Sequence, residues 1–334
     1  MNKTTIFKKF FVIFLSILTL LTPLTGCKDE GLKTIRLNEV THSVFYAPLY
    51  IAIENGYFRD EGIEIELTNG GGADASMTAL LSKTADIALM GPETVIYVQN
   101  QGKKDAPIVF AQLTQKDGSF LVSRNAEPDF KWENLQGKEI LAGRRGGVPA
   151  MTFEYVLNQL GMTDGVDFKL NYDVQFNLMT SAFIGGTADY CTVFEPTASE
   201  YQKQGKWHVV ASVGEKSGEI PYTSFITLNS FLNKQPDTLK SFLKALKKAF
   251  EYLSTHSERD VAESIVKQFP STTIESIETS IKSYKNIDAW KTNMQATESS
   301  FNRLQDVMEN AGELDKRISF NKLVNNTITK EIFG

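Results

Sequence analysis

The feature that most restricts the fold of this chain is an internal repeat, in which short groups of residues recur about a hundred positions further on. The groups keep the same order in both copies: Met77-Thr78, Thr84-Ala85-Asp86, Pro92 and Thr94 return as Met179-Thr180, Thr187-Ala188-Asp189, Pro196 and Thr197. Upstream, the loop that ends in Pro48 has a counterpart that ends in Pro149. A supersecondary unit that occurs twice predicts two lobes of similar structure.

The elements inside each copy are predicted from hydrophobic periodicity. Residues 34–40 alternate in the manner of a strand, and residues 87–90 are wholly apolar, as expected for a buried parallel strand. Between them, Pro48 predicts the start of a helix and Gly56 its end. Strands that alternate with helices place the chain in the α/β class.

The two lobes are expected to be discontinuous in sequence. We predict a first lobe at residues 34–117, a second lobe at 118–222, and a return of the chain to the first lobe at 223–334. A chain of this length exceeds one typical core. Because open α/β sheets bind ligands outside the carboxyl ends of their strands, two facing lobes predict one ligand site in the cleft between them.

The N-terminal residues are typical of a secretion signal. Three lysines precede an apolar stretch from Phe10 to about Leu24, shorter than the roughly 20 apolar residues that a membrane span requires. The stretch ends in Leu24-Thr25-Gly26-Cys27, which resembles the lipobox of bacterial lipoproteins. That resemblance implies a leader at residues 1–26, a lipid on Cys27 and a short tether at 27–33. An ordinary cleaved signal beside an unrelated cysteine is the alternative.

Charge and cysteine content exclude several classes of partner. Removal of residues 1–26 takes away three lysines and no acidic residue, which changes the net charge from −5 to −8 and argues against nucleic acid. If Cys27 is lipidated, Cys191 has no disulfide partner, and its apolar neighbours predict a buried thiol. The three histidines, at positions 42, 208 and 256, lack the spacing of metal ligands. We therefore expect neither a metal nor a cofactor.

Four segments carry a resemblance to a known family. They are Phe45 to Phe58, in which a helix is followed by Gly-Tyr-Phe; Glu61 to Ile65; Leu80 to Gly91; and Leu135 to Lys138. They resemble the substrate-binding proteins of bacterial ABC importers, in the branch for nitrate, sulfonates, taurine and the pyrimidine precursors of thiamine. The resemblance implies a two-lobed periplasmic-binding-protein fold of type II, with the ligand in the interlobe cleft. Such a clamp closes by bending at its two crossovers.

The expected ligand-binding residues come partly from this resemblance and partly from their chemistry. The resemblance places in the cleft Ser43, Val44, Phe45, Tyr46, Gly91, Pro92, Glu93, Gly146, Gly147, Val148 and Glu195, and chemistry adds Arg145 and Tyr222. Relatives that bind sulfonates usually carry a Gly-x-Pro-x-Gly-Ser loop at the first helix of the second lobe. Residues 147–152 read Gly-Val-Pro-Ala-Met-Thr, so the Gly-Ser is absent and a small oxyanion ligand is less favoured.

The chemistry of these residues leaves two ligand classes open. Arg144 or Arg145 could pair with a carboxylate, sulfonate or phosphate. Glu93 and Glu195, which both lie beside helix-start prolines, instead favour a ligand with N–H donors. Three aromatic side chains, those of Phe45, Tyr46 and Tyr222, could enclose a flat ring. We favour the amino-substituted ring by a small margin.

The resemblance implies a binding protein outside the cytoplasm, a monomer held at the membrane by its lipid, which delivers a small molecule to an ABC permease. The alternative is an enzyme, because a pyrimidine-precursor synthase shares the fold and His42 precedes the cleft loop. That enzyme is marked by a Cys-Cys-Cys-Phe segment, whereas this chain has only Cys191 near Phe194. An extracytoplasmic sensor would need a signalling segment, which the sequence does not suggest. We therefore expect no enzymatic activity.

Overall fold

Residues 31–334 are described in the computed structural model, and their strands form two five-stranded sheets. In chain order these strands are β1 (Lys33–Glu39), β2 (Ile63–Asn69), β3 (Ile87–Met90), β4 (Pro107–Thr114), β5 (Ser119–Ser123), β6 (Glu139–Leu141), β7 (Lys169–Leu170), β8 (Tyr190–Phe194), β9 (His208–Ser212) and β10 (Thr223–Leu228). The first sheet consists of β1 to β4 with β10, and the second of β5 to β9. The expected leader and Cys27 lie outside the described residues.

Helices of very different length connect and cover these strands. The α-helices are α1 (Ala47–Glu54), α2 (Tyr57–Asp60), α3 (Ala73–Leu81), α4 (Glu93–Asn100), α5 (Val148–Gln159), α6 (Met179–Ile184), α7 (Thr197–Lys203), α8 (Gly214–Ser217), α9 (Asn229–Lys234), α10 (Pro236–Thr255), α11 (Glu258–Ile265), α12 (Ile274–Asn286), α13 (Glu298–Asn310), α14 (Phe320–Leu323) and α15 (Thr327–Phe333). Single 3₁₀ turns lie at Val44–Tyr46, Trp132–Leu135, Phe176–Leu178 and Val266–Gln268. Among residues 31–334, none of the helices has both the length and the apolar character that crossing a membrane would require.

The two sheets repeat one strand order. The first reads β2-β1-β3-β10-β4 and the second β7-β6-β8-β5-β9. In both, the first three strands are parallel and the remaining two pair antiparallel with their neighbours. The α/β architecture of two similar lobes, predicted from the sequence repeat, is confirmed.

The repeated Thr-Ala-Asp residues have equivalent structural roles. The Asp86 N–H donates to the carbonyl oxygen of Arg36 over 2.8 Å, and its carboxylate accepts the Arg36 N–H over 3.0 Å. Asp189 makes the same pair of bonds with Glu139, at 2.8 and 2.9 Å. Each aspartate thus fixes the start of β3 or β8 against the neighbouring parallel strand, β1 or β6.

The long C-terminal helix α10 packs onto the lobe of the first sheet. In α10, one face of the helix is buried, including Leu239, Phe242 and Leu246, each 0% exposed. Phe242 packs against Phe58 and Phe225, with ring centroids 5.1 Å away in both cases. Burial of each such side chain stabilises the fold by roughly 1.5–3 kcal/mol.

The chain passes between the sheets twice, once between β4 and β5 and once before β10. The first passage is tightly packed, because a Cβ atom on Gly118 would lie 2.5 Å from the ring of Phe45. Beside it, Asp117 is fully buried, and burial raises the pKa of its carboxyl to about 7 although Ser119 donates two hydrogen bonds to it. Cys191 is also fully buried, and burial raises the pKa of its thiol, so the predicted structural thiol is confirmed.

Candidate functional site

A cavity of about 420 Å³ lies between the two sheets and is called the interlobe cavity below. The lobe of the first sheet contributes twelve wall residues: Val40, Thr41, Tyr46, Gly70, Gly71, Gly72, Ala73, Asp74, Ala75, Gly91, Glu93 and Thr223. The lobe of the second sheet contributes nine: Arg144, Gly147, Val148, Pro149, Gln175, Phe176, Asn177, Leu178 and Phe194. Tyr222 lies at the passage between the two lobes. Its volume is within the range of small-molecule sites.

The parallel strands explain why these residues meet. The walls follow directly from the carboxyl ends of β1, β2, β3 and β8, and they include the N-terminal turns of α3 and α5. Because the first N–H groups of a helix have no partner within the helix, such turns present donors and a partial positive charge to the cavity. The cavity is thus at the position that open α/β sheets use for ligands.

Glu93, the first residue of α4, is the buried carboxyl group of the cavity. Its side chain is 1% exposed, and its Oε2 atom has no hydrogen-bond partner. The carboxyl group folds back over Gly91, where a Cβ atom would lie 2.1 Å from Oε2, so only glycine leaves room for it. Burial raises the pKa of Glu93 to about 7, although the charge of Arg144 and N–H groups that include that of Val148 lower it.

Arg144 is the cationic group of the cavity. Its Nη2 atom lies 2.9 Å from Oδ1 of Asp74, so this ion pair joins the two lobes at the wall of the cavity. The Asp74 side chain is 75% exposed, whereas that of Arg144 is 26% exposed. An ion pair with so exposed a partner contributes little stability, because water screens it.

Aromatic side chains supply the flat surfaces of the cavity. Tyr46, Phe176, Phe194 and Tyr222 line it, and the rings of Phe194 and Tyr222 lie 6.2 Å apart between centroids. Phe45 lies behind this layer, fully buried, and contacts both Tyr46 and Tyr222 at 5.8 and 5.9 Å. Such surfaces suit a planar ligand.

The structure places six of the sequence-predicted residues in the walls of the interlobe cavity: Tyr46, Gly91, Glu93, Gly147, Val148 and Tyr222. Four predicted neighbours are placed elsewhere. Val44 and Phe45 are core residues with no exposed surface, and Pro92 precedes α4 as its N-cap. The Ser43 hydroxyl accepts the Phe45 N–H and donates to the carbonyl oxygen of Glu195, so it ties the lobes together behind the cavity.

The two residues before Gly147 also lie outside the cavity. The Arg145 guanidinium stacks over the ring of Tyr172 at 4.1 Å, on the far side of the loop from Arg144. The carbonyl oxygen of Gly146 accepts a hydrogen bond of 2.9 Å from Tyr97 of the other lobe. Adjacent side chains point in different directions in this loop, which explains why the sequence left the choice between Arg144 and Arg145 open.

Glu195 is not the structural counterpart of Glu93. Alignment on the helix-start prolines, Pro92 and Pro196, makes Glu195 equivalent to Gly91. Its carboxylate accepts two hydrogen bonds from Ser199, at 2.6 and 2.9 Å, and thereby satisfies the first turn of α7. Burial raises the pKa of Glu195, while the bonds from Ser199 lower it. This carboxyl group therefore has a structural partner, and Glu93 has an oxygen without one.

Sequence reasoning missed three groups of cavity residues. The glycine-rich turn at 70–72 follows a parallel strand, and that position was the signal that it faces the cleft. The 3₁₀ turn at Phe176–Leu178 carries no motif and could not be found. Phe194 precedes the repeat-related Pro196, so the repeat could have identified it.

Both ring nitrogens of His42 have structural partners, so the residue needs no catalytic role to explain its position. Its ring nitrogens lie 2.6 Å from the Glu39 carboxylate and 2.8 Å from the carbonyl oxygen of Gln268. Burial lowers the pKa of His42, but the hydrogen bond and charge of Glu39 outweigh burial, and the net shift is upward. The residue is outside the walls of the interlobe cavity. In the described part of the chain, no cluster of His, Cys, Asp and Glu is arranged to hold a metal ion.

Three relatives match much of the chain. A protein of Bacillus subtilis (strain 168), described as the binding protein YtlA, is 44% identical over 314 residues, 94% of either chain. The 4-amino-5-hydroxymethyl-2-methylpyrimidine phosphate synthase of Candida albicans (strain WO-1) is 26% identical over 66% of either chain. The formylaminopyrimidine-binding protein of Halalkalibacterium halodurans is 24% identical over 69% of either chain.

Solved structures share the fold at lower sequence identity. The nitrate-binding protein NrtA from Synechocystis PCC 6803 has a TM-score of 0.71 at 17% identity, covering 90% of this chain and 88% of its own. The alkanesulfonate-binding protein SsuA from Xanthomonas axonopodis pv. citri has a TM-score of 0.70 at 15% identity, covering 88% and 98%. These similarities identify the periplasmic-binding-protein fold.

The family described as NMT1/THI5 like matches residues 44–259, which include the cavity residues of α4, α5 and β8. Because the family model covers more than half of the chain and YtlA is 44% identical over nearly all of it, this chain belongs to the NMT1/THI5-like family.

Proposed function

We propose that this protein is the substrate-binding component of an ABC importer and that it captures an amino-substituted heterocycle of pyrimidine size. The observation that carries the ligand class is the Glu93 carboxyl group, which is 1% exposed in the wall of the cavity and has an oxygen without a partner. A buried acceptor without a partner costs free energy, and a ligand N–H group would remove that cost.

The aromatic walls support the same ligand class. Tyr46, Phe194 and Tyr222 present ring surfaces to the cavity, and the phenolic groups of Tyr46 and Tyr222 are almost completely buried. A planar ring that stacks on such surfaces gains about 0.5–1.5 kcal/mol per aromatic pair beyond its buried area. The formylaminopyrimidine-binding relative also takes a ligand of this kind.

A binding role fits the chain better than catalysis. The relative with 44% identity is described as a binding protein, whereas the synthase is matched at 26% over two-thirds of its length. The cysteine-rich segment expected of the synthase is replaced by Cys191, which is buried in β8, and His42 is held by Glu39 and Gln268 away from the cavity.

The same proposal accounts for the N-terminal sequence. A leader at residues 1–26 would export the protein, and a lipid on Cys27 would hold it at the outer face of the membrane. There the protein would meet the membrane-spanning subunits of its permease. Anchoring also restricts the binding protein to the surface on which the permease lies, which raises its effective concentration.

A small oxyanion such as nitrate is the second candidate. Arg144 favours it, because a guanidinium in a cavity wall can bind an anion in bidentate geometry. The lack of the Gly-Ser pair after Pro149 and the close approach of the Glu93 carboxyl oppose it.

Mass spectrometry and calorimetry test the proposal. Native mass spectrometry of protein purified from its source should detect a bound heterocycle, and calorimetric titration should detect binding of 4-amino-5-methylpyrimidine but not of nitrate or taurine. Glu93→Leu, which removes the acceptor at similar volume, should weaken that binding by at least about 10-fold. Tight binding of nitrate or taurine, with no binding of the pyrimidine, would make the proposed ligand class wrong.

A further inference from the structure

The interlobe cavity contains one acidic and one basic group, Glu93 and Arg144, and each of them makes a different demand on a ligand. Glu93 is buried, has one carboxyl oxygen without a partner, and lies close enough to Arg144 for that charge to lower its pKa. Arg144 has its ion pair with Asp74. A ligand that binds only Glu93 leaves Arg144 unused, and a ligand that binds only Arg144 leaves the Glu93 oxygen without a partner.

The Arg144–Asp74 pair is replaceable at low cost. Asp74 is 75% exposed, so its carboxylate can return to water when a ligand takes its place, whereas Arg144 stays at the cavity wall with 26% of its side chain exposed. Loss of an ion pair is costly when it leaves a buried charge without a partner, and that cost is small for the exposed carboxylate of Asp74. Arg144 therefore offers a site for an anionic oxygen group, with Asp74 as a competitor.

The helix starts on the same side of the cavity favour an anion as well. Residues 72–75 begin the nine-residue helix α3, and residues 147–149 begin the twelve-residue helix α5. Their N-terminal N–H groups and helix dipoles favour negative charge. This positive region lies beside the carboxyl group of Glu93, so one small molecule can reach both.

We infer that the ligand is amphoteric: an N–H donor edge binds Glu93, and an anionic oxygen group binds Arg144 in place of Asp74. This inference rests on the proposed function and narrows its ligand class to heterocycles that carry an acidic substituent. The sequence left an anionic ligand and an N–H donor ligand as alternatives, and a single ligand that carries both groups would combine them.

Three probes separate the two halves of this inference. 4-Aminopyrimidine-5-carboxylate carries both groups, 4-amino-5-methylpyrimidine carries only the donor, and pyrimidine-5-carboxylate carries only the anion. Titration of the full-length protein at neutral pH should give an affinity for the first probe at least about 10-fold higher than for either of the others, as expected for one added charge-assisted bond.

Variants of the ion pair give the decisive readouts. Arg144→Gln should abolish the advantage of the amino-carboxylate probe over 4-amino-5-methylpyrimidine, so that the ratio of the two affinities falls to about one. Arg144→Lys, which keeps the charge, should retain part of the advantage. Asp74→Asn should increase it, because the competitor is removed; a residue that contacts the ligand directly would produce the opposite change. Thermal melting of each variant establishes that it folds.

The outcomes distinguish the inference from the proposed function. Equal affinity for the amino-carboxylate and methyl probes, or equal weakening of both by Arg144→Gln, would overturn the anionic half and leave the heterocycle proposal standing. Binding of pyrimidine-5-carboxylate as tight as that of the amino-carboxylate would overturn the Glu93 half. If none of the three probes binds, the proposed function fails together with the inference.

Discussion

At the scale of single residues, the wall of the cavity depends on Gly91, because the position of the Glu93 carboxyl group leaves no room for a Cβ atom there. The Glu93 carboxyl group occupies the space where Gly91 would carry a Cβ atom, 2.1 Å from Oε2, and in this folded-back position Oε2 is buried without a hydrogen-bond partner in the wall of the cavity. A buried carboxyl group without full hydrogen bonding remains protonated to a higher pH than one in water. Glu93 is therefore a group whose charge depends on whether a ligand is bound.

The pKa of Glu93, raised by burial from its ordinary value near 4.5 to about 7, predicts how stability depends on pH. Between these values the unfolded chain loses the proton and the folded chain keeps it, so the free energy of unfolding falls as pH rises. The full loss, above pH 7, is about 3 kcal/mol for a shift of this size. Glu93→Gln should remove this part of the pH dependence.

Chemical denaturation of wild type and Glu93→Gln at a series of pH values measures this effect. The slope in wild type includes Asp117, whose pKa is raised to about 7 by burial and which remains in both proteins. Glu133→Gln, the same chemical change at an exposed position, should leave the slope unaltered. Identical slopes for wild type and Glu93→Gln would contradict the assignment of a buried, neutral carboxyl group at position 93.

At the scale of elements, the repeated aspartates define where the parallel strands begin. Asp86 does more than Asp189, because its carboxylate also binds the guanidinium of Arg36, at 2.6 and 3.0 Å, in addition to the backbone N–H. Asp189 accepts the N–H of Glu139. The two copies thus share the backbone function and differ in one side-chain pair.

We predict that Asp189→Ala destabilises the protein by about 1 kcal/mol and Asp86→Ala by about 2 kcal/mol, with the value for Asp86 kept small because Arg36 is partly exposed. Arg36→Met removes the extra pair but keeps the backbone bonds, so it should account for the difference. Denaturant unfolding of the three variants measures these free energies. Equal losses for both aspartate variants would mean that the Arg36 pair contributes nothing.

At the scale of the whole molecule, several polar contacts join the two lobes, besides the Ser43 bond described above. Three of them are the ion pair of Arg144 with Asp74, the 2.9 Å bond from Tyr97 to the Gly146 carbonyl oxygen, and the 2.6 Å bond from Asn158 to Asn310. These contacts form only when the lobes are close together, so their free energy favours the closed arrangement.

Removal of two of these contacts should shift the protein toward an open form. Tyr97→Phe combined with Asn158→Ala is predicted to increase the radius of gyration of the ligand-free protein in small-angle X-ray scattering, and saturating ligand should reduce it again. Tyr57→Phe, a conservative change in the first lobe away from the cavity, serves as the control. A radius that neither the double variant nor the ligand changes would contradict closure by lobe movement.

Anchoring is a separate property of the whole molecule. Leu24-Thr25-Gly26-Cys27 predicts that the mature protein partitions into detergent and that Cys27→Ser releases it into the soluble fraction. Phase partitioning of the two proteins expressed in a bacterial host measures this, with Cys191→Ser as the matched control for loss of a thiol. A Cys27→Ser protein that stays with the membrane would show that the anchor is elsewhere.

The sequence by itself determined the α/β class and the two similar lobes, and it predicted a ligand site in the cleft between them, because a repeat and the ends of apolar strands are local patterns. It also identified Tyr46, Gly91, Glu93, Gly147, Val148 and Tyr222 as candidates that the structure places in the cavity walls. It could not decide between Arg144 and Arg145, because the direction of a side chain in an irregular loop is set by what it packs against: Asp74 of the other lobe for one, and the ring of Tyr172 for the other.

Only the tertiary structure separated the two glutamates beside the helix-start prolines. Glu93 and Glu195 have similar local sequences, yet Ser199 satisfies both oxygens of Glu195, whereas the carboxyl group of Glu93 keeps an oxygen free. The 3₁₀ turn at Phe176–Leu178 reaches the cavity because the second lobe closes over the first. The named contacts between the lobes join residues 49 to 152 positions apart, and their energies depend on packing that no local pattern records.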